Sequence, residues 1–428
     1  MSARPRIAVV GAGIGGLTLA AALRERGLPC RIFEQARRLT EVGAGVQLAP
    51  NAVRPLRELG LGARLARSAV PIDAMETRSW AGEPLARTPF GEACEQLFGA
   101  PYYAVHRADL QSALLDTVGP GPLRLGRTLK GVVPEGDAVR LEFEDGSTHH
   151  ADLVVGADGI HSVVRRGLVA DAPVFSGLGV YRGLVPVADL PVAAREPRIR
   201  MWLGPGRHFV CYPVRGGELL SFAAIAPQRD APVESWSAEG STAELAAAFP
   251  GWRGLIHDVI GATRSVRRWA LYDREALPVW AAGRVTVLGD AAHPMLPFLA
   301  QGANQAVEDA VDLACRLAAT DTAGIPAALV AYQAARGSRT AAIQHGARGH
   351  SDSMHLPDGP SRDARDLALR RSSGLDGLRG RAWLYGHRAE PDPTTTDDSL
   401  TRTTRPTRTT ATTRTNPTTR TDMKRSSA

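Results

Sequence analysis

The chain has 428 residues, 44% of them apolar, and a net charge of +7. That length can bury a large core shared by two domains, which excludes a small stapled scaffold. The four cysteines, Cys30, Cys94, Cys211 and Cys315, form no CxxC and no Cys/His cluster, so neither a disulfide framework nor a metal site is expected.

Residues 6–10, RIAVV, have the continuous apolar character of a buried strand. They leave no room for a signal peptide, and no later run approaches membrane-spanning length, so the expected location is the reducing cytoplasm without a membrane partner. GAGIGG then turns the chain into the helix LTLAAALRERG, stopped at Gly27, and CRIFEQ follows as a second strand. This is a βαβ opening. Residues 72–90 predict a short hairpin about AGEP, and HRADLQSALLDTV (106–118) predicts a helix. Three runs, LRLGRTLKGVV, AVRLEFE and HADLVVGAD, predict a β-meander attached to a parallel sheet. From about residue 176 the strands GVYRGLVPV, RIRMWLG, RHFVCYPV and ELLSFAAIA follow one another without helices, which predicts an antiparallel sheet and a second layer. Residues 241–260 are mostly helical in pattern. RVTVLGD returns as a buried strand, and GDAAHPMLPFLAQGANQAVEDA (289–310) feeds a helix with small or apolar residues at Ala303, Ala306, Val307, Ala310, Val311, Ala314 and Leu317.

The first domain is therefore discontinuous: 1–71, 101–175 and 271–320 belong to it, 72–100 and 176–270 to the second domain, and 321–388 to a C-terminal helical region. Residues 389–428 form a tail, and its 391–428 stretch has 15 Thr, 7 Lys or Arg and 4 Asp. Such a composition cannot bury enough surface to offset its ordering entropy, and disorder is expected. The basic charge suits a dinucleotide as well as nucleic acid, and does not decide between them.

The glycine turn carries the first functional signal. Gly11, Gly13 and Gly16 stand in GxGxxG register between strand and helix, with Glu34 at the end of the next strand. Gly11 serves the tight turn, Gly13 (with Gly15 beside it) a close approach of backbone to a pyrophosphate, and Gly16 close helix packing. Helix N–H groups then face the phosphates, and the Glu34 carboxylate can accept hydrogen bonds from a ribose diol. The motif alone leaves FAD and NAD both open.

Two later segments, LVVGADGIHSVVR (153–165) and GDAAHPMLPFLAQGANQAVEDA, complete a set of three in the order and spacing of the class A flavoprotein monooxygenases, the 4-hydroxybenzoate hydroxylase-like family, which the chain resembles up to about residue 388. EVGAGVQLAPNA, HRADL, YRGLVP and AWLYGH are similar to the salicylate hydroxylase and 3-hydroxybenzoate 6-hydroxylase branch. The implied fold is α/β: a Rossmann-like FAD-binding domain with a parallel sheet and β-meander, plus an antiparallel-sheet substrate domain. The implied cofactor is non-covalent FAD, with NADH or NADPH as a transient co-substrate. The implied partners are a small aromatic substrate and O2, with no nucleic acid, for a monomer or homodimer.

By that resemblance Arg107 contacts the ribityl or pyrophosphate region, Gly45, Val46 and Gln47 line the flavin ring, and Asp158, Gly159 and Arg165 support FAD and the passing nicotinamide; from their types alone Asp158 reads equally as a turn aspartate and Arg165 as an ion-paired arginine. Asp290 at its strand end accepts from ribityl hydroxyls, Pro297 stiffens the approach, and the N–H groups of Gly302 and Ala303 stabilise negative charge on the ring. His293 is expected to build the turn. The implied reaction hydroxylates a phenol or hydroxybenzoate through a C4a-hydroperoxyflavin. Period two on RHFVCYPV puts His208, Val210 and Tyr212 on one face and Phe209 and Cys211 on the other. The resemblance makes His208 the deprotonating group, Gln301 its assistant and Tyr212 the residue that orients the ring. The family carries Asn where this chain has Ser221, a departure at the substrate end of the sheet. Alternatives are a flavin-dependent epoxidase of an olefin, indole or quinone, and a non-catalytic flavin-binding interaction protein.

Overall fold

The computed structural model describes residues 4–39, 44–229 and 239–389. Nearly all of the tail expected to be disordered lies outside them. Residues 1–390 make one compact unit, so the interleaved segments share an interior.

The nucleotide side is a six-stranded sheet in the order Ala281–Ala282, Val285–Val287, Leu153–Gly156, Ile7–Val10, Cys30–Glu34 and Leu123–Leu125. The three central strands are buried throughout because helices cover the sheet, and their unbroken apolar runs follow from that. Its pairings are parallel except at the Ala281–Ala282 edge. The meander is separate: Leu129–Glu135, Ala138–Phe143 and Thr148–Ala151 form their own three-stranded sheet. Two runs expected to be continuous are thus each divided between sheets. Gly126 turns the chain at φ +68°, and Asp152, whose carboxylate accepts from the Arg6 N–H at 2.7 Å, pins the second crossing.

The other side is an eight-stranded sheet in the order Glu239–Gly240, Val266–Asp273, Val174–Pro186, Leu219–Pro227, Arg207–Val214, Arg198–Gly204, Ala74–Ser79 and Pro84–Pro89. The hairpin at 72–90 joins its edge through a parallel pairing with Arg198–Gly204, the one departure from the antiparallel sheet expected. Alternation divides its faces. Phe209, Cys211, Phe222 and Trp202 join an aromatic cluster behind the sheet, where Phe209 and Phe222 stack at 5.4 Å and helices Thr242–Ala248 and Leu255–Ala262 close over them. The opposite face looks toward the nucleotide side.

The helix Ile325–Met354 joins the halves. Its buried stripe, Ile325, Leu329, Tyr332, Arg336, Thr340, Ile343, Ala347 and Met354, follows helical periodicity. The Tyr332 hydroxyl donates to the Val287 carbonyl at 3.2 Å on the nucleotide side, while Ile343, Ala347 and Met354 pack in the clusters of the large sheet.

Candidate active site

Each glycine of the first turn is required for a different reason. Gly11 has φ +103°, and a Cβ there would lie 2.3 Å from the Ala157 carbonyl oxygen. A Cβ on Gly16 would meet the Gly11 carbonyl at 2.1 Å, and one on Gly15 would meet Leu288 Cδ1 at 2.6 Å. Gly13 differs: a Cβ there meets no atom within 4 Å. It is the N-cap of Ile14–Glu25, whose first turn has no capping side chain and no acid. Open space before unsatisfied helix N–H groups fits a pyrophosphate. Glu34 holds this loop in place, its two carboxylate oxygens accepting from the Ala12 and Ala36 N–H groups at 2.8 Å each. Each oxygen retains a lone pair for a ribose hydroxyl.

Arg107 is half-buried at the start of its helix, and its guanidinium has no hydrogen-bond or ion-pair partner among the described residues. Burial lowers its pKa, opposed by the charges of Asp290 and Glu34, so these groups border one space. Asp290 is exposed by area, yet desolvation is the largest influence on its carboxyl and raises its pKa against the pull of His293 and Arg107. A residue that is accessible and still desolvated lines a deep cleft. An unpartnered arginine, a bare helix start and two carboxylates that can accept from hydroxyls make a set that fits FAD, which Glu34, Arg107 and Asp290 would hold.

Asp158 and Arg165 take other positions. Asp158 accepts from the Ser162 hydroxyl and from the Val163 N–H at 2.7 Å, which caps the short helix Val163–Arg166. Arg165 is 1% exposed, pairs with Asp171, and donates to the Ala291 and Ala292 carbonyls at 3.1 and 2.8 Å. Of the two readings open for Arg165, the geometry matches the ion-paired one: its guanidinium is taken up internally, where it braces the turn that carries Asp290. Gly159, at φ +75°, completes the Asp158 turn with open space beside it.

The 289–310 segment is held from behind by charges that the sequence pattern alone did not single out. Asp309 is fully buried and accepts from the Gly289 N–H at 2.9 Å, from His293 and from Arg336. Burial acts to raise its pKa, but His293 and Arg336 outweigh it and hold the carboxyl at about 2. His293 therefore builds the turn, as expected. Glu308 accepts from Arg336, Arg339 and Asn51. Pro297 begins a short turn that ends at Ala300, whose φ of +51° is left-handed for a residue with a side chain. This conformation directs the uncapped start of Gly302–Ala318, with Gly302 and Ala303 half-exposed, into the cleft. Asn304 ties that start to the strand Gly45–Leu48: it donates to the Gln47 carbonyl at 3.1 Å and accepts from the Ala49 N–H at 2.8 Å. Gln301 is less free than expected. Its carbonyl accepts from Asn51 and Gln305, and only Nε2 is left without a partner among the described residues.

The strand Gly45–Leu48, with Val46 and Gln47 half-buried, abuts the inner face of the large sheet at Gly45. The Gly45 N–H donates to the Ser221 hydroxyl at 3.0 Å, its carbonyl accepts from Arg182 at 2.7 Å, and a Cβ there would lie 2.5 Å from Tyr212 Cε2. Ser221 thus has a structural reason, since a larger side chain would collide with this strand. On the same face most side chains are buried, but Arg182, Ala223 and Val210, neighbours in register across three strands, are half-exposed. Val210 lies between Tyr212 and His208 along its strand, so this patch has a phenol on one side and an imidazole on the other. The faces assigned by alternation hold, and His208 does not stand alone. Its Nδ1 lies 2.7 Å from His355 Nε2, and the two rings stack at 5.0 Å. Burial, then His355 and His350, push His208 well below the usual imidazole range, and burial pushes His355 down to about 4.

Comparisons with known proteins agree with this geometry. Residues 4–347 match the family described as FAD binding domain. The 3-amino-4-hydroxybenzoate 2-monooxygenase of Streptomyces cremeus is 50% identical over 386 residues, covering 90% of this chain and 95% of that one. The 3-hydroxybenzoate 6-hydroxylase of Polaromonas naphthalenivorans is 36% identical over 386 residues, covering 89% and 95%. The crystal structure of Klebsiella pneumoniae HpxO complexed with FAD and uric acid superposes with a TM-score of 0.80 at 28% identity, covering 89% of this chain and 96% of that one. Among the described residues no helix is long and apolar enough to cross a membrane. The chain belongs to the FAD binding domain family, and within it to the class A FAD-dependent aromatic hydroxylases.

Proposed function

We propose that this hydroxylase acts on an amino-hydroxybenzoate or a close hydroxybenzoate, takes its electrons from NADH or NADPH, and inserts one atom of dioxygen into the ring. The observation that carries the reading is the half-exposed patch Arg182, Ala223 and Val210 on an otherwise buried sheet face, beside the strand that carries Gln47. A floor of one arginine and two apolar side chains, bounded by a phenol and an imidazole, suits one polar aromatic ring. The names of the two relatives, a 3-amino-4-hydroxybenzoate 2-monooxygenase and a 3-hydroxybenzoate 6-hydroxylase, support the same class.

Bound flavin supplies the redox chemistry and the activation of dioxygen. The protein's task is to make the ring electron-rich. His208, neutral at pH 7, accepts the phenolic proton at Nε2. Its Nδ1 proton passes to His355 Nε2, and half-buried His355 releases its own Nδ1 proton by way of the Ser351 hydroxyl, 3.4 Å away. Handing the proton on avoids a lasting buried cation, which the environment disfavours. Tyr212 and Gln301 Nε2 orient the ring, and the N–H groups at Gly302 and Ala303 favour negative charge at the flavin.

The test is to supply the holoenzyme with 3-amino-4-hydroxybenzoate and either nicotinamide cofactor. Substrate-stimulated oxidation with a product one oxygen heavier is expected. Absence of stimulation by any hydroxybenzoate refutes the reading.

A further inference from the structure

The helix Ile325–Met354 and the strands Val174–Pro186 and Val266–Asp273 border a pocket of about 320 Å³. It opens to solvent past Val174, 63% exposed, and Glu275. Ser351, 8% exposed, belongs to its buried wall. The three carboxylates that line it differ. Asp273 and Glu275 both pair with Arg348, whereas Asp352 is exposed and has no ion-pair partner among the described residues.

The pocket lies directly behind the imidazole pair. Ser351 Oγ is 3.4 Å from His355 Nδ1, and His355 Nε2 is 2.7 Å from His208 Nδ1. When His355 Nε2 accepts from His208, a neutral His355 ring carries its own proton on Nδ1, and the group facing that proton is the Ser351 hydroxyl. Phe298 makes T-shaped contacts with both rings, at 5.4 and 5.6 Å, and leaves that flank apolar. The charged and titratable groups that act on the pair from outside it are His350, Asp352 and Arg365, and of these Asp352 alone favours a proton on His355.

We propose that this pocket is the outlet for the substrate's phenolic proton, with the Ser351 hydroxyl as its gate and Asp352 as the carboxylate that collects protons at its mouth. The phenolic O–H bond breaks as His208 Nε2 takes the proton. His208 Nδ1 gives its own proton to His355 Nε2, His355 Nδ1 gives its own to Ser351 Oγ, and the hydroxyl yields its original proton to the pocket. One proton enters the chain and one leaves it, so no cation stays buried. Departure of the product as a neutral phenol runs the chain backwards and resets both rings. The inference rests on the reading above that His208 deprotonates a phenol, and extends it to where the proton goes.

The experiment mixes oxidised holoenzyme with 3-amino-4-hydroxybenzoate in a stopped-flow cell and follows phenolate formation by its near-ultraviolet absorbance. It is run on wild type, Ser351→Ala, Ser351→Thr and Asp352→Asn, with flavin content and product formation measured separately. Ser351→Ala should keep its flavin and slow phenolate formation at least about tenfold, and Ser351→Thr, which retains a hydroxyl, should recover most of the rate. Asp352→Asn should slow it by a smaller factor. Added imidazole should restore Ser351→Ala, because a small base in the pocket takes the His355 proton directly, and a packing defect would not respond. A wild-type rate in Ser351→Ala or Asp352→Asn, a loss that imidazole does not restore, or product formed without a phenolate signal overturns the outlet and leaves hydroxylation standing. A Ser351-dependent rate without any oxygenated product keeps the outlet and removes the reaction. A wild-type holoenzyme that forms neither phenolate nor product overturns both.

Discussion

Replacing Gly13 by Ala separates folding from flavin binding. Gly13 sits at φ −74° and ψ −176°, which alanine adopts freely, and the added methyl meets nothing within 4 Å. Alanine is a poorer N-cap than glycine by at most about 1 kcal/mol, while the stiffer unfolded chain returns about 0.4–1 kcal/mol. The stability of the apoprotein therefore changes by less than about 1 kcal/mol. With FAD the same methyl occupies the space that the pyrophosphate needs against the helix N–H groups. Overpacking of that kind costs about 1–3 kcal/mol, a loss of roughly 5- to 150-fold in affinity. Titration of apoprotein with FAD, read by flavin fluorescence, gives the affinity, and a thermal melt of the same apoprotein gives the stability. An unchanged Kd refutes the placement of the phosphate at Gly13, and so does a loss of stability that accounts for the loss of binding.

Three further outcomes follow from the geometry. Gly45→Ala drives a methyl to 2.5 Å from Tyr212 and 2.7 Å from the Ser221 hydroxyl, and should cost about 1–3 kcal/mol in denaturant unfolding; a variant as stable as wild type contradicts the clamp. His208→Ala should still bind FAD and oxidise NAD(P)H but divert most reducing equivalents from product to hydrogen peroxide, and unchanged coupling removes His208 as the base. Asp309 has a native pKa of about 2 against 3.8 for the free group. A depressed carboxylate pKa contributes stability above the unfolded value that is lost as pH falls through the folded one, here roughly 2 kcal/mol between about pH 4 and pH 2. The stability gap between wild type and Asp309→Asn should therefore narrow over that window in urea titrations, and a constant gap counts against the account.

The sequence carried what depends on local geometry. GAGIGG between a strand and a helix is legible because each glycine answers a backbone demand within a few residues, and alternation along RHFVCYPV assigned both faces of that strand. Contacts set by topology were not legible. His208 meets His355 across 147 positions, and the Gly45 N–H finds Ser221 across 176. No periodicity in either segment encodes such a meeting. Arg165 shows the same limit: an ion-paired arginine was one of two readings open at that place in the motif, but its partners, Asp171 and the Ala291 and Ala292 carbonyls, are set by the fold. The run 289–310 contained Asn304, Glu308 and Asp309, yet their importance became visible only once Gln47, Arg336 and Arg339 were placed against them.

The most direct measurement of the central claim is turnover of 3-amino-4-hydroxybenzoate by the holoenzyme under isotopically labelled dioxygen, with product mass and NAD(P)H consumption followed together. The account predicts one labelled oxygen atom in the ring of the product, formed in near-equal proportion to the reductant consumed. Reductant oxidation that no hydroxybenzoate accelerates, or a product whose new oxygen comes from water, would contradict it.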